Sequence, residues 1–268
     1  MWATDQAITR GTKMKIAIIG MGAIAGYVRQ QLPRHQIREI AQIVRLGKVS
    51  APSQVDDIDD LSERPDLVVD CGGHKALAQH GPKALAKGID VLTVSLGALA
   101  DPVLYACLEQ AAVTGSARLR LASGAIGGLD VLRAATVGQI EQVTYTGRKP
   151  PKGWIGSPAA DAVDLASLTA PYTHFQGTAR NAALAYPKNA NVAAAVALAG
   201  AGFDKTQVNL IADPGIDANI HEVSAKGDFG TLQCVISGNS LPDNPRSSAL
   251  AAMSIMAELA ASLQPIRF

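Results

Sequence analysis

The hydrophobic pattern of this chain changes period along its length. Lys15-Ile16-Ala17-Ile18-Ile19 is a nearly continuous apolar run, and Tyr27 to Leu32 follows with helical spacing. Short apolar runs of strand length predict strands buried on both faces. Ile37 to Val44, Asp66 to Asp70, Asp90 to Ser95 and Leu119 to Ala122 repeat the signal. Helical segments stand between them. Ala76 to Lys87 is stopped by Gly88, and Pro102 to Thr114 starts on Pro102 with Asp101 as its cap. Strand–helix alternation predicts an α/β fold with a doubly wound, Rossmann-type parallel sheet.

Beyond Gly138 the alternation is of another kind. Gln139 to Arg148 interleaves Ile140, Val143 and Tyr145 with polar residues, as a strand with one face in water does. Lys149-Pro150-Pro151-Lys152-Gly153 reads as a break. Gln207 to Ala212, Ile220 to Lys226 and Thr231 to Ser237 predict further strands, with Gly and Asp-Pro turns between them. Helical stretches lie between Arg148 and Gln207, notably Asn191 to Ala199. These segments predict a second, α+β domain on an open mixed or antiparallel sheet. Asn244 to Leu263 predicts a helix that packs back on the first domain, because the crossover from Leu121 leaves one face of that sheet bare. The expected division is residues 14–123 and 241–268 for the first domain and 124–240 for the second, with 1–13 as an extension.

Composition narrows the chemistry. The net charge is +1 over 268 residues, with no basic arm, which argues against nucleic acid as a partner. No apolar run is long enough to span a bilayer, and Met1 to Lys13 lacks the apolar core of a secretory signal. The 3 cysteines are scattered, and with the 5 histidines they show no metal-ligand spacing. The expectation is a reduced, cytoplasmic protein without a metal site. No Gly-x-Ser-x-Gly nucleophile turn is present.

One motif carries specific chemistry. Gly20-Met21-Gly22-Ala23-Ile24-Ala25 follows the first predicted strand and opens the first predicted helix, which is the context that gives Gly-x-Gly-x-x-Ala its meaning as a dinucleotide fingerprint. Gly20 permits the turn, Gly22 lets backbone approach a pyrophosphate, and the amides of Ala23 and Ile24 face it from a helix N-terminus. In such sheets ligands bind at the carboxyl ends of the strands. Three of those ends are rich in small polar residues: Cys71-Gly72-Gly73-His74, Ser95-Leu96-Gly97-Ala98 and Ser123-Gly124-Ala125-Ile126-Gly127-Gly128. Where the second strand of an NAD-binding sheet ends in an acid, this one ends Val44-Arg45, with Lys48 near. An arginine there pairs with a 2′-phosphate, which predicts NADP as well as NAD. The plain alternative is a solvated arginine.

The second domain offers two polar loops. Tyr186-Pro187-Lys188-Asn189-Ala190-Asn191 is a loop-to-helix junction, with Lys188 as a cation for a carboxylate and Asn189 and Asn191 as amide donors. Asp213-Pro214-Gly215-Ile216-Asp217-Ala218-Asn219-Ile220-His221 carries a lone histidine at a strand. A lone histidine is often a core or surface residue, but His221 lies in the domain that must supply the substrate site. His74 is a weaker candidate, and His35, His80 and His174 read as structural or solvated.

With these motifs assembled, the chain resembles the L-aspartate dehydrogenase family from Lys15 to Leu263. The resemblance rests on the glycine fingerprint, Ser123 to Asp130, Tyr186 to Ala194, Ala212 to His221 and Asn244-Pro245-Arg246-Ser247-Ser248. It implies that His221 is the catalytic histidine, that Ala125 and Asn191 contact the nicotinamide half of NAD or NADP, and that the chain is a homodimer built through its second domain. The implied reaction is oxidative deamination of L-aspartate through iminoaspartate to oxaloacetate and ammonia, and the reverse. It would serve either NAD synthesis or ammonia exchange. Cofactor contacts are expected at Gly20, Gly22, Ala23, Ile24, Arg45, Cys71, Gly72, Ser95, Leu96, Ala125 and Asn191, and substrate contacts at Lys188, Asn189, Asn191 and Ser123. Members of the family often carry Glu where this chain has Gln176 and Asn181. Two other readings stand beside this one. One is a homoserine- or dihydrodipicolinate-type dehydrogenase, whose Lys/His constellation is not found here. The other is a non-catalytic dinucleotide-binding protein, which would need neither His221 nor the Lys188-Asn189 loop.

Overall fold

The computed structural model describes residues 13–187, 189–241 and 244–266, with the side chains of 244–246 outside the description. Its first half holds β1 (Met14–Ile19), β2 (Ile37–Ile43), β3 (Gln54–Val55), β4 (Leu67–Asp70), β5 (Asp90–Thr93) and β6 (Leu119–Leu121). They form one sheet in the order β3-β2-β1-β4-β5-β6. Every pairing is parallel. The crossovers run through α1 (Ala23–Gln31), α2 (His74–Ala86) and α3 (Pro102–Gly115). Asp101 caps α3 as expected, its side chain accepting from the amides of Val103 and Leu104.

The unbroken apolar run of β1 is explained by cover on both faces. Ile16 and Ile18 pack with Val28 of α1. Ala17 and Ile19 face the cluster that contains Leu77, Leu85 and Leu108. Full burial of each such side chain contributes about 1.5–3 kcal/mol.

The second half holds α4 (Leu129–Ala135), β7 (Ile140–Lys149), α5 (Ala159–Ala162), β8 (Tyr172–Thr178), α6 (Ala179–Ala185), α7 (Asn191–Ala199), β9 (Gln207–Ala212), β10 (Asn219–Gly227) and β11 (Gly230–Gly238). The sheet order is β11-β10-β7-β9-β8. It is mixed: β7 and β9 run parallel, the other neighbours antiparallel. Val143 and Tyr145 of β7 and Val223 and Ala225 of β10 are buried. The alanines of α7 are all buried too, and small side chains let that helix lie close to the sheet.

The structure adds one element and corrects one expectation. Among the helical stretches expected between Arg148 and Gln207 stands a strand the pattern does not announce, Tyr172–Thr178, an edge strand paired only with β9. Asn244–Ser248, read as the start of the last helix, is instead β13, paired with β12 (Ser240–Leu241). Pro245 explains the second case: it disfavours helical backbone at the residue before it and donates no hydrogen bond. α8 (Ala249–Ser262) begins after it and packs on the first sheet, with Ile255, Met256 and Leu259 against the Ile16–Ile18 face. The face expected to be bare is the one α8 covers.

Candidate active site

The glycine loop is built to hold an anion. Gly20 has φ +106°, and a Cβ on it would stand 3.0 Å from the carbonyl oxygen of Cys71. Both facts demand glycine. Its amide donates to Ile43 O at 2.9 Å, tying the loop to the end of β2. Gly22 caps α1, and a Cβ there would meet nothing within 4 Å. That open space lies over a helix N-terminus with no side-chain cap and no acidic residue in its first turn. Uncapped amides and the helix dipole fit a pyrophosphate. Ala25 is fully buried, as close packing of helix on strand requires. Arg45 is exposed just beyond β2 and makes no ion pair among the described residues.

The next two strand ends are pinned by a buried carboxylate. Asp70 accepts from the Thr93 hydroxyl at 2.7 Å and from the Gly72 amide at 2.9 Å. Thr93 Oγ1 in turn accepts from the Ser95 amide at 2.9 Å. Burial pushes the Asp70 carboxyl up, and its hydrogen bonds to Ser95, Thr93 and Gly72 oppose this. Ser95 therefore shapes the groove wall from inside. Burial likewise pushes the Cys71 thiol up, so it serves as packing and not as a nucleophile.

The second sheet supplies the titratable groups. Tyr145, Gly147 and Lys149 alternate along one face of β7. Antiparallel register sets His221 of β10 opposite Gly147. A Cβ on residue 147 would lie 2.7 Å from Tyr145 Oη, so glycine makes room for the phenol. Tyr145 Oη stands 2.7 Å from His221 Nδ1. Burial, with a smaller contribution from the Lys149 charge, lowers the His221 pKa from 6.5 to about 4. Burial also raises that of Tyr145. Both are therefore neutral at neutral pH. With Nδ1 engaged by the phenol, Nε2 is the nitrogen left for the cleft.

That cleft has a volume of about 180 Å³ and is lined by Ser123, Ala125, Lys149, Asn189, Asn191 and His221. Ile24 and Leu96 reach it from the dinucleotide side, and Ser247 and Ser248 from the end of β13. Asn191 opens α7, and its Oδ1 accepts from the Gly97 amide at 2.9 Å. His74 Nε2 lies 2.9 Å from the same oxygen and donates to it. The amide is thus oriented, with Nδ2 left for a ligand. Gly97 is glycine because a Cβ there would stand 2.7 Å from His74 Cε1.

The structure gathers most of the expected residues. His221, Asn189, Asn191, Ser123, Ala125, Leu96 and Ile24 share the cleft. Gly20, Gly22 and Ala23 sit at the α1 end, and Cys71 and Gly72 lie against Gly20. Lys188 lies outside the described residues. Gln176 and Asn181 are exposed, outside the cleft; the Gln176 side chain donates to Asn209 Oδ1, and the backbone amide of Asn181 donates to Thr178 Oγ1, the cap of α6. Sequence reasoning missed Lys149, Tyr145 and Asp70. Lys149 is largely buried, its ammonium 2.8 Å from Asn189 Oδ1 and 5.0 Å from the Trp154 ring centroid. Burial lowers its pKa from 10.5 to about 8. A larger groove of about 630 Å³ along Pro150, Ile155, Leu165 and Ile216 is mostly apolar, with Lys152 and Asp164 as its charged lining residues. No described helix is long and apolar enough to cross a membrane.

Comparison with known proteins places this geometry. Residues 130–262 match the family model described as aspartate dehydrogenase, C-terminal. Residues 20–122 match that of the homoserine dehydrogenase NAD-binding domain. An L-aspartate dehydrogenase from Ruegeria pomeroyi is 54% identical over 265 residues, covering 97% of this chain and 96% of the relative. One from Pseudomonas aeruginosa is 46% identical, covering 92% and 96%. The crystal structure of aspartate dehydrogenase from Thermotoga maritima superposes with a TM-score of 0.75 at 27% identity, covering 95% of this chain and 99% of that one. An archaeal homoserine dehydrogenase, at 11% identity and a TM-score of 0.58, shares the fold alone. The molecule is an α/β oxidoreductase with a nicotinamide-dinucleotide site, and the chain belongs to the L-aspartate dehydrogenase family.

Proposed function

We propose that this chain catalyses the reversible oxidative deamination of L-aspartate to oxaloacetate and ammonia through iminoaspartate, with NAD or NADP, and that His221 moves the protons. The observation that carries the reading is a neutral, buried histidine whose Nδ1 is held by Tyr145 and which lines the same cleft as Asn191 and Ser123. When bound, the oxidised nicotinamide accepts the Cα hydride. The chain's own work is binding and proton transfer. Gly20, Gly22, Ala23 and Ile24 hold the pyrophosphate; Cys71, Gly72, Ser95 and Leu96 form the groove wall. Ala125 and Asn191 face the nicotinamide half, and Arg45 takes a 2′-phosphate. Ser123, Asn189, Asn191 and Lys188 serve the substrate.

His221 Nε2 takes a proton from the amine, which must be neutral before its Cα–H leaves as hydride. It gives that proton up to solvent, takes one from the water that attacks the imine carbon, and passes this second proton to the nitrogen that leaves as ammonia. In each step the ring proton is on Nδ1 and the Tyr145 oxygen accepts it. A positioned base of this kind contributes on the order of 10²–10⁴ in rate.

The domains divide at 14–123 with 241–268, and 124–240. The chain works as a homodimer in the cytoplasm. Support for the first is the exposed outer face of the second sheet, including Ser224, Gln233 and Val235. Support for the second is three free cysteines.

The test is loss of reduced-nicotinamide absorbance with oxaloacetate and ammonium, run with NADH and with NADPH. Ammonium-dependent oxidation supports the reading. No oxidation by protein that binds both dinucleotides refutes it.

A further inference from the structure

We propose that Lys149 binds the side-chain carboxylate of the substrate and so selects a dicarboxylic amino acid over its monocarboxylic counterparts. The inference rests on the aspartate reading above and deepens it. Its ground is a cation in the cleft without an anion. Among the described residues no carboxylate lies within 4.0 Å of the Lys149 ammonium, although the neighbouring Arg148 is paired with Asp213 at 2.9 Å. A charge taken out of water is costly unless it is paired. One of the three ammonium donors goes to Asn189 and one face rests on Trp154. The remaining donors are free for a carboxylate.

Position assigns which carboxylate. The dinucleotide side of the cleft is formed by Ile24, Leu96, Ser123 and Ala125. Lys149, Asn189 and Trp154 belong wholly to the second half of the chain. With Ala125 and Asn191 holding the nicotinamide half, the reacting Cα would lie between that side of the cleft and His221. Lys149 stands two residues along β7 from Gly147, which faces His221, or roughly 7 Å at the strand rise. The carboxylate that extends farthest from the nicotinamide is the one on the side chain.

The same contact acts on His221. Its imidazole is faced by Tyr145 and Lys149 from β7. Lys149 also bears on His174 of β8, whose pKa burial lowers to about 4 with help from the same ammonium. Asp213 is held by Arg148 and the Gly215 amide. A substrate carboxylate on Lys149 neutralises the one cation among the described residues that disfavours imidazolium, so the bound substrate makes His221 a stronger base.

The experiment uses the full-length enzyme and its K149M and K149R variants. Readouts are the KM for oxaloacetate, the inhibition constants of succinate and butyrate, and NADH binding by fluorescence. In K149M, the KM for oxaloacetate and the succinate constant rise on the order of 10–100-fold, the loss of a hydrogen bond to a charged group. Butyrate and NADH binding stay within about twofold, and K149R recovers part of the loss. Equal weakening of succinate and butyrate means that Lys149 is only structural, and overturns the proposal. So does an unchanged KM. If wild type itself shows no ammonium-dependent oxidation, the aspartate reading falls and this inference with it. Should K149M not fold, wild type decides: succinate inhibition weakens as pH rises through about 8, and a flat profile from pH 7 to 9.5 overturns the proposal.

Discussion

Tyr145 Oη lies 2.7 Å from His221 Nδ1, in space that exists because residue 147 is glycine. Three residues on two neighbouring strands thereby fix which ring nitrogen faces the cleft. Y145F removes the hydroxyl and little volume. It should lower kcat about 10–100-fold while NADH affinity changes less than twofold. Imidazole ¹⁵N shifts of His221 should move from one dominant tautomer toward a mixture. Unaltered shifts would show that the phenol does not control the ring.

G147A tests the same geometry by intrusion. Its Cβ would stand 2.7 Å from the phenol oxygen, so Tyr145 must move. Overpacking of this kind costs about 1–3 kcal/mol of stability. Activity should fall at least as far as in Y145F, and Y145F/G147A should be no less active than G147A alone. Urea unfolding and steady-state rates measure both.

His221 also links stability to pH. Its folded pKa is about 4 against an ordinary 6.5, so below 6.5 the unfolded chain binds the proton that the folded chain refuses. Stability from this group is fully present above pH 6.5 and is lost as pH falls toward 4. The loss is on the order of 3 kcal/mol at the lower end. H221N should flatten this part of the curve; the difference between its unfolding free energy and that of wild type, measured at pH 7 and pH 5, should shrink on acidification. An equal pH slope in both proteins would contradict the shift.

Arg45 sets cofactor choice. R45A should reduce kcat/KM for NADPH about tenfold and leave NADH within threefold, since one charge-assisted contact to the 2′-phosphate is lost. An unchanged NADPH-to-NADH ratio would mean a solvated arginine.

What was legible in the sequence was mostly local. The strand–turn–helix at Lys15 to Gln31 announces itself through a buried run followed by glycines. α8 was placed by a global argument, the bare face of the first sheet, and Leu259 does fill it. β8 was hidden because an edge strand needs little apolar patterning, and Gly177 and the alanines after it imitate a helix approach. Lys149 was hidden by its neighbours: Pro150-Pro151 reads as a break, yet pairing with β9 carries β7 through Lys149 and turns it inward. Tyr145 was seen as one apolar position in an alternating strand. Its meeting with His221 depends on a register between segments 76 residues apart, which no local pattern records.

The most direct test of the central claim is H221N in the ammonium-dependent oxidation of NADH by oxaloacetate, with NADH binding measured on the same preparation. Loss of kcat by 10²–10⁴-fold, roughly the contribution of a positioned base, with NADH affinity within about twofold, is the expected result. Turnover retained within a few-fold, or lost only in step with NADH affinity, would contradict the assignment of His221.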